Sequence, residues 1–177
     1  MARVRDIELN EASKEISLIY KKFIKSYGPF ANQAKVFAHR PIIFKHMMSM
    51  LMEMAENPII DKRYLEIAIV SVSAVNRCDY CVAHHAPNLI SEGLSEITIN
   101  NILEDDCPGL KKLDLLVRDY SVQITKDHNR VQDKQFEELR KYFSEEQMVE
   151  LTFRITLCTF FNKFNDCLLY TSPSPRD

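Results

Sequence analysis

The sequence predicts an all-α protein, a single-domain helical bundle. Three observations carry that prediction. Glycine is scarce: Gly28, Gly93 and Gly109 are the three in 177 residues, where a sheet protein of this size needs more turn glycines. Each stands between segments whose apolar residues recur at helical spacing, the place for a helix cap or turn. Helix-start residues also fall where those segments begin. Pro41 suits a first helical position, Asp61 and Ser95 suit N-caps, and Ser144 with Gln147 makes a capping box.

In chain order, apolar periodicity places helices at about 11–27, 31–38, 41–56, 61–76, 79–92, 95–104, 110–126, 132–142 and 145–166. Pro29, Pro58, Pro87 and Pro108 punctuate the pattern. Met47, Met48, Met50, Met52 and Met54 crowd the third helix, and methionine there reads as core or subunit packing. Leu65–Val75 is rich in Ile and Val and has strand propensity, but its length and low-glycine flanks favour helix. The last helix carries Phe153, Ile155, Leu157, Cys158, Phe160, Phe161 and Phe164. A helix apolar on most sides is expected to be buried in a core or an oligomer.

Composition narrows the function classes. The chain is 46% hydrophobic and 27% charged, which excludes a disordered or fibrous protein. Net charge is −2 with both signs interspersed, so no basic stripe invites nucleic acid. No apolar run of about 18 residues spans a membrane. The start, Met1 to Asp6, precedes no apolar h-region, so a cytoplasmic, reducing location is expected. Residues 167–177 end in Thr-Ser-Pro-Ser-Pro-Arg-Asp. These eleven residues can be encoded by a sequence like a transposon-derived sequencing adapter. We read residues 1–166 as the domain and 167–177 as a non-native tail.

The informative stretch runs from Glu66 to His85. Cys78 and Cys81 form Cys-x-x-Cys, a spacing that puts two sulfurs within disulfide reach around the first turn of a helix. The helix N-terminus there favours a thiolate. His85 lies seven residues past Cys78 and four past Cys81, on one helical stripe with both. His84 is near but less well aligned. Glu66 is the only charge between Leu65 and Val75; a carboxylate there is costly unless partnered and suited to proton transfer. Lys62, one turn earlier, is a simpler partner. The cysteine pair also has a zinc reading, with His84, His85 and Cys107 as further ligands. Cys107 sits among acidic residues in a loop, which should raise its pKa, and Cys158 reads as a small buried hydrophobe.

Glu66, Cys78, Cys81 and His85 together match Glu, an interval, then Cys-x-x-Cys-x-x-x-His. At these residues the chain resembles the carboxymuconolactone decarboxylase superfamily, in its alkylhydroperoxidase D-like branch. The loose outer matches are His39-Arg40-Pro41 and the Asn-containing end of the last helix, Phe160 to Asp166. The resemblance implies a helical fold assembling as homotrimers or homohexamers, and thiol-dependent reduction of hydroperoxides. It implies that Cys81 attacks peroxide, that Cys78 resolves the sulfenic acid, and that Glu66 and His85 relay protons. An external dithiol or protein donor would then reduce the disulfide. This chemistry requires no metal or other cofactor. One position departs: some peroxidase members carry His just before the second cysteine, and here it is Tyr80. Two other readings stay open. One is a redox-sensing or zinc-holding interaction protein without turnover. The other is a cofactor-free lactone decarboxylase, against which the dithiol itself weighs.

Overall fold

A computed structural model describes residues 3–27 and 31–168. Gly28 and Pro29, and all of the tail past Leu168, lie outside the described residues. The described residues form α-helices, one 3₁₀ turn and no strand. The helices are α1 (Lys14–Tyr27), α2 (Ala31–Phe37), α3 (Pro41–Glu56), α4 (Lys62–Val75), α5 (Asp79–Ser91), α6 (Glu96–Asn100), α7 (Lys112–Asp127), α8 (Asp133–Arg140) and α9 (Glu145–Leu168), with the 3₁₀ turn at His128–Arg130. The all-α prediction holds, and most boundaries fall within a few residues.

The differences have local causes. The first helix starts at Lys14 because Ser13 Oγ accepts the Ile16 N–H at 3.3 Å, which sets the cap. The helix expected at 95–104 stops at Asn100. Ser95 and Thr98 close a capping box at its start, and turns follow it. Pro87 lies inside α5, as the expected span 79–92 implies. The last helix passes Asp166 to include Cys167 and Leu168. Arg3 meets that end, donating its N–H to the Leu168 carbonyl at 3.2 Å and Nη1 to the Cys167 carbonyl at 3.0 Å. These are carbonyls that a helix end leaves without partners.

The chain divides into two compact units. One comprises the residues up to Pro58 with Cys167 and Leu168. Its core holds Ile16, Tyr20 and Phe23 of α1, Val36 and Phe37 of α2, and Phe44, Met48, Leu51 and Met52 of α3. The Tyr20 and Phe44 rings stack at 6.4 Å. Two of the five clustered methionines, Met48 and Met52, are therefore core residues.

The other unit is Ile59–Asp166. Its centre is α4, where every residue from Glu66 to Ser73 is buried. Burial on all sides explains why this segment shows no helical periodicity and has strand-like composition. Asp61 caps it, its carboxylate accepting the Arg63 N–H at 2.8 Å. α5 and α7 pack on α4. α9 bonds to it through Cys158, 3.5 Å from the Ile69 carbonyl, and Asn162, 3.2 Å from Ser73 Oγ, and buries the single stripe Met148, Leu151, Ile155, Cys158, Asn162 and Asn165. This corrects the expectation for the last helix, since Phe153 and Phe160 are exposed. The Ser144–Gln147 capping box forms as predicted. Gly93 and Gly109 both have positive φ, +82° and +86°, and a Cβ on Gly109 would sit 2.8 Å from Thr98 Oγ1.

Candidate functional site

The turn between α4 and α5 fixes the first cysteine. α4 ends in a Schellman motif: the Cys78 N–H donates to the Ser73 carbonyl at 2.9 Å, and the Arg77 N–H to Ala74 at 3.1 Å. Arg77 takes the left-handed position at φ 57°, where glycine is the usual residue. Cys78 is then the N-cap of α5, and Cys81 lies in its first turn.

The two sulfurs are free thiols 2.7 Å apart, with Cys78 Sγ donating to Cys81 Sγ. Both residues are buried; Cys81 retains 4% exposure and Cys78 none. The hydrogen bond is asymmetric, and so are the acidities. The S–H donated by Cys78, with amide donors on α9 and the nearby His85, lowers the Cys81 thiol to about 7 against the opposing effect of burial. The same hydrogen bond, together with burial and the neighbouring Cys81 charge, drives Cys78 far up. A thiolate therefore settles on Cys81 near neutral pH.

His85 and Glu66 meet. Glu66 Oε2 lies 2.7 Å from His85 Nδ1, and Glu66 Oε1 accepts from Asn88 Nδ2 at 3.0 Å. With Nδ1 turned to the carboxylate, Nε2 is the ring nitrogen left to exchange a proton. Lys62, the simpler partner for Glu66, instead lies 4.0 Å from Glu92. His84 turns its Nδ1 to the Tyr80 carbonyl at 2.8 Å and its ring onto Tyr80 at 4.1 Å.

The residues weighed for zinc are not gathered. Cys107 is buried and donates to the Thr98 carbonyl at 3.4 Å. No three His, Cys, Asp or Glu side chains group as a metal site among the described residues. The Cys107 thiol is raised as expected, but burial is the main cause and Glu104 a smaller one. Cys158 is pushed up to about 12 by burial.

Sequence reasoning missed the amides around the dithiol. Asn88 continues the stripe of Cys78, Cys81 and His85 by one more step of three, so its signal was present. Asn165 donates Nδ2 to Cys81 Sγ at 3.3 Å from α9. Its signals were the loose match of the Asn-containing last helix and the i, i+3 spacing of Asn162 and Asn165, and neither pointed to a cysteine.

Comparison with known proteins bears on the family and the fold. The sequence pattern of the carboxymuconolactone decarboxylase family matches residues 41–108. An alkyl hydroperoxide reductase AhpD from Coxiella burnetii is 38% identical over 52 residues. That stretch spans 29% of this chain and 29% of that protein. Among solved structures, an alkylhydroperoxidase AhpD core, an uncharacterized peroxidase-related protein from Ralstonia eutropha, superposes with a TM-score of 0.79 at 20% identity. It covers 94% of this chain and 90% of its own. The debrominase Bmp8, in complex with 2,3,4-tribromopyrrole, gives a TM-score of 0.76 at 15% identity, covering 95% and 91%. At these identities the structural likenesses concern the fold. No described helix is long and apolar enough to cross a membrane.

Proposed function

We propose, for a chain that belongs to the carboxymuconolactone decarboxylase superfamily in its alkylhydroperoxidase D-like branch, the function of a dithiol-dependent peroxidase and disulfide reductase. One observation carries the reading. Two free thiols 2.7 Å apart share a helix start with a histidine that is held by a buried carboxylate 2.7 Å away. That set supplies a thiolate, a resolving thiol and a proton carrier within one turn-and-helix unit.

The chemistry follows from the asymmetry. The Cys81 thiolate attacks one oxygen of a hydroperoxide, the O–O bond breaks, and the leaving alkoxide takes a proton. His85, oriented by Glu66, takes the Cys81 proton as the thiolate forms and is the group placed to deliver it. Cys81 becomes a sulfenic acid and the peroxide becomes an alcohol. The Cys78 sulfur then displaces that hydroxyl, releasing water and closing the disulfide. Closure needs only a contraction from 2.7 Å to about 2.05 Å. An external dithiol returns two electrons and two protons by exchange. Residue roles support this order: Cys81 is the more acidic and the less occluded of the pair. Tyr80, where some relatives carry a relay histidine, is buried with its ring on His84. The proton path of this reading runs through Glu66 and His85.

The test uses the full chain, reduced and metal-checked, with one equivalent of cumene hydroperoxide. Intact mass and a peptide map are recorded. The expected result is loss of two hydrogens at a Cys78–Cys81 bridge. Cys81→Ser should abolish peroxide consumption, and Cys78→Ser should leave a trappable sulfenic acid on Cys81. Unchanged mass with intact thiols would sink the peroxidase reading. Zinc released on denaturation would point to the zinc-holding alternative.

A further inference from the structure

The last helix supplies a wall of the dithiol site that the four-residue motif does not contain. α9 is fastened to the turn that precedes Cys78. Asn162, fully buried, donates Nδ2 to Ser73 Oγ at 3.2 Å and accepts from Asn76 Nδ2 at 2.9 Å. Ser73 is also the residue whose carbonyl receives the Cys78 N–H. One set of contacts therefore fixes both the start of α5 and the rotation of α9. Asn165 is three residues on from Asn162 and on the same stripe. It is 1% exposed, and its Nδ2 stands 3.3 Å from Cys81 Sγ.

Resting on the dithiol reading above, we propose that Asn165 is a catalytic residue: its amide N–H holds the Cys81 thiolate and so assigns attack to Cys81 and resolution to Cys78. The physical argument is one of sign. An N–H donated to sulfur stabilises the anion more than the neutral thiol. In a buried site such a donor is worth more to the anion than it would be in water. The groups facing Cys81 come from three elements. On α5 they are Cys78, which donates its S–H, and His85; on α4, Glu66 acts through His85. On α9 they are Asn165 itself, Asn162, a second amide donor to that sulfur, and the buried Cys158. The Asp166 carboxylate lies toward Cys78 and opposes a charge there. One turn of α9 thus favours negative charge at one sulfur and discourages it at the other. A motif of identical cysteines acquires a direction from a helix 84 residues away.

The experiment reads thiolate formation without peroxide. Alkylation of Cys81 by iodoacetamide is followed by peptide mass across pH in the reduced full chain, in Asn165→Ala and in Asn165→Asp. The unsubstituted chain should show a midpoint near 7. Asn165→Ala should raise it by about one unit, slowing alkylation below the midpoint about tenfold. Asn165→Asp keeps the shape but turns an oxygen to the sulfur, and should raise it further. That variant also decides the matter if the alanine protein does not fold. A midpoint unmoved or lowered in Asn165→Asp overturns the proposal, whatever happens to the melting temperature. An unsubstituted chain that ignores cumene hydroperoxide counts against the peroxidase reading, while the alkylation midpoints still decide Asn165.

Discussion

The unit Ile59–Asp166 buries two carboxylates, and holds them in opposite ways. Asp114, at the start of α7 and 2% exposed, accepts Arg63 Nε at 3.0 Å and Nη2 at 2.6 Å. It also accepts the Lys111 N–H at 2.9 Å. Arg63 spends its remaining arm on the Glu92 carbonyl at 2.8 Å. This bidentate pair ties the start of α4, the end of α5 and the start of α7. Glu66, 7% exposed, accepts instead from an imidazole and an amide, both on α5. Burial taxes the two acids alike. Their partners differ in one property. A guanidinium keeps its proton at any working pH, and an imidazole does not. A buried acid is a tether when its partner cannot let go of a proton, and part of a relay when it can.

The largest effect should come from breaking the tether. Arg63→Ala leaves the Asp114 carboxylate buried without its countercharge, and should cost about 3–5 kcal/mol in urea unfolding. Arg63→Lys should recover only part of this, because a point charge cannot replace the two-pronged contact. Glu66→Gln comes next and acts on rate. A carboxamide keeps an acceptor for Asn88 and turns its NH2 to His85, whose Nδ1 can accept in the other tautomer, so stability should shift by about 1 kcal/mol. Oxidation of the dithiol by cumene hydroperoxide should slow by about a hundredfold or more, because the proton path is cut. A Glu66→Gln protein as unstable as Arg63→Ala, with unchanged rate, would collapse the distinction. The pH profile sharpens it further. Peroxide consumption in stopped flow should rise as pH increases through about 7, as Cys81 deprotonates, and level off above. Arg63→Lys should leave that profile in place.

What could be read from the sequence follows from how local each feature is. The stripe Cys78, Cys81, His85 needs only helical arithmetic; Cys81 and His85 lie on α5 and Cys78 is its N-cap. The helix starts at Pro41, Asp61 and Ser144 are local too, set by a fixed φ or by a side chain bonding three residues on. Glu66 is different. Its twelve-residue offset from Cys78 gives no contact along one helix; α4 and α5 must fold back on each other at Arg77 to bring it to His85. The run of α4 has strand-like composition because burial on every side removes the polar face, and its length and flanks still read correctly as helix. Asn165 was out of reach for a harder reason. Its partner is distant in sequence, and amides on a helix otherwise rich in phenylalanine read as the polar edge of an apolar face. Here the stripe that α9 buries ends in those amides, and its phenylalanines are the more exposed.

The smallest effect separates holding from relaying within the Glu66 site itself. Asn88 donates to one oxygen of the carboxylate while His85 meets the other. An amide cannot pass a proton in this chemistry; it can only fix where the carboxylate points. Asn88→Ala should therefore cost about 1 kcal/mol of stability. It should slow oxidation by only about fivefold, the rate equivalent of that same energy if all of it is lost in the transition state. Its pH profile should keep the midpoint set by Cys81. A loss as deep as that of Glu66→Gln would mean that the carboxylate, once free of Asn88, turns away from His85. The relay would then depend on three residues of α5, Cys81, His85 and Asn88, and the orientation of Glu66 would be as much a part of the chemistry as its charge.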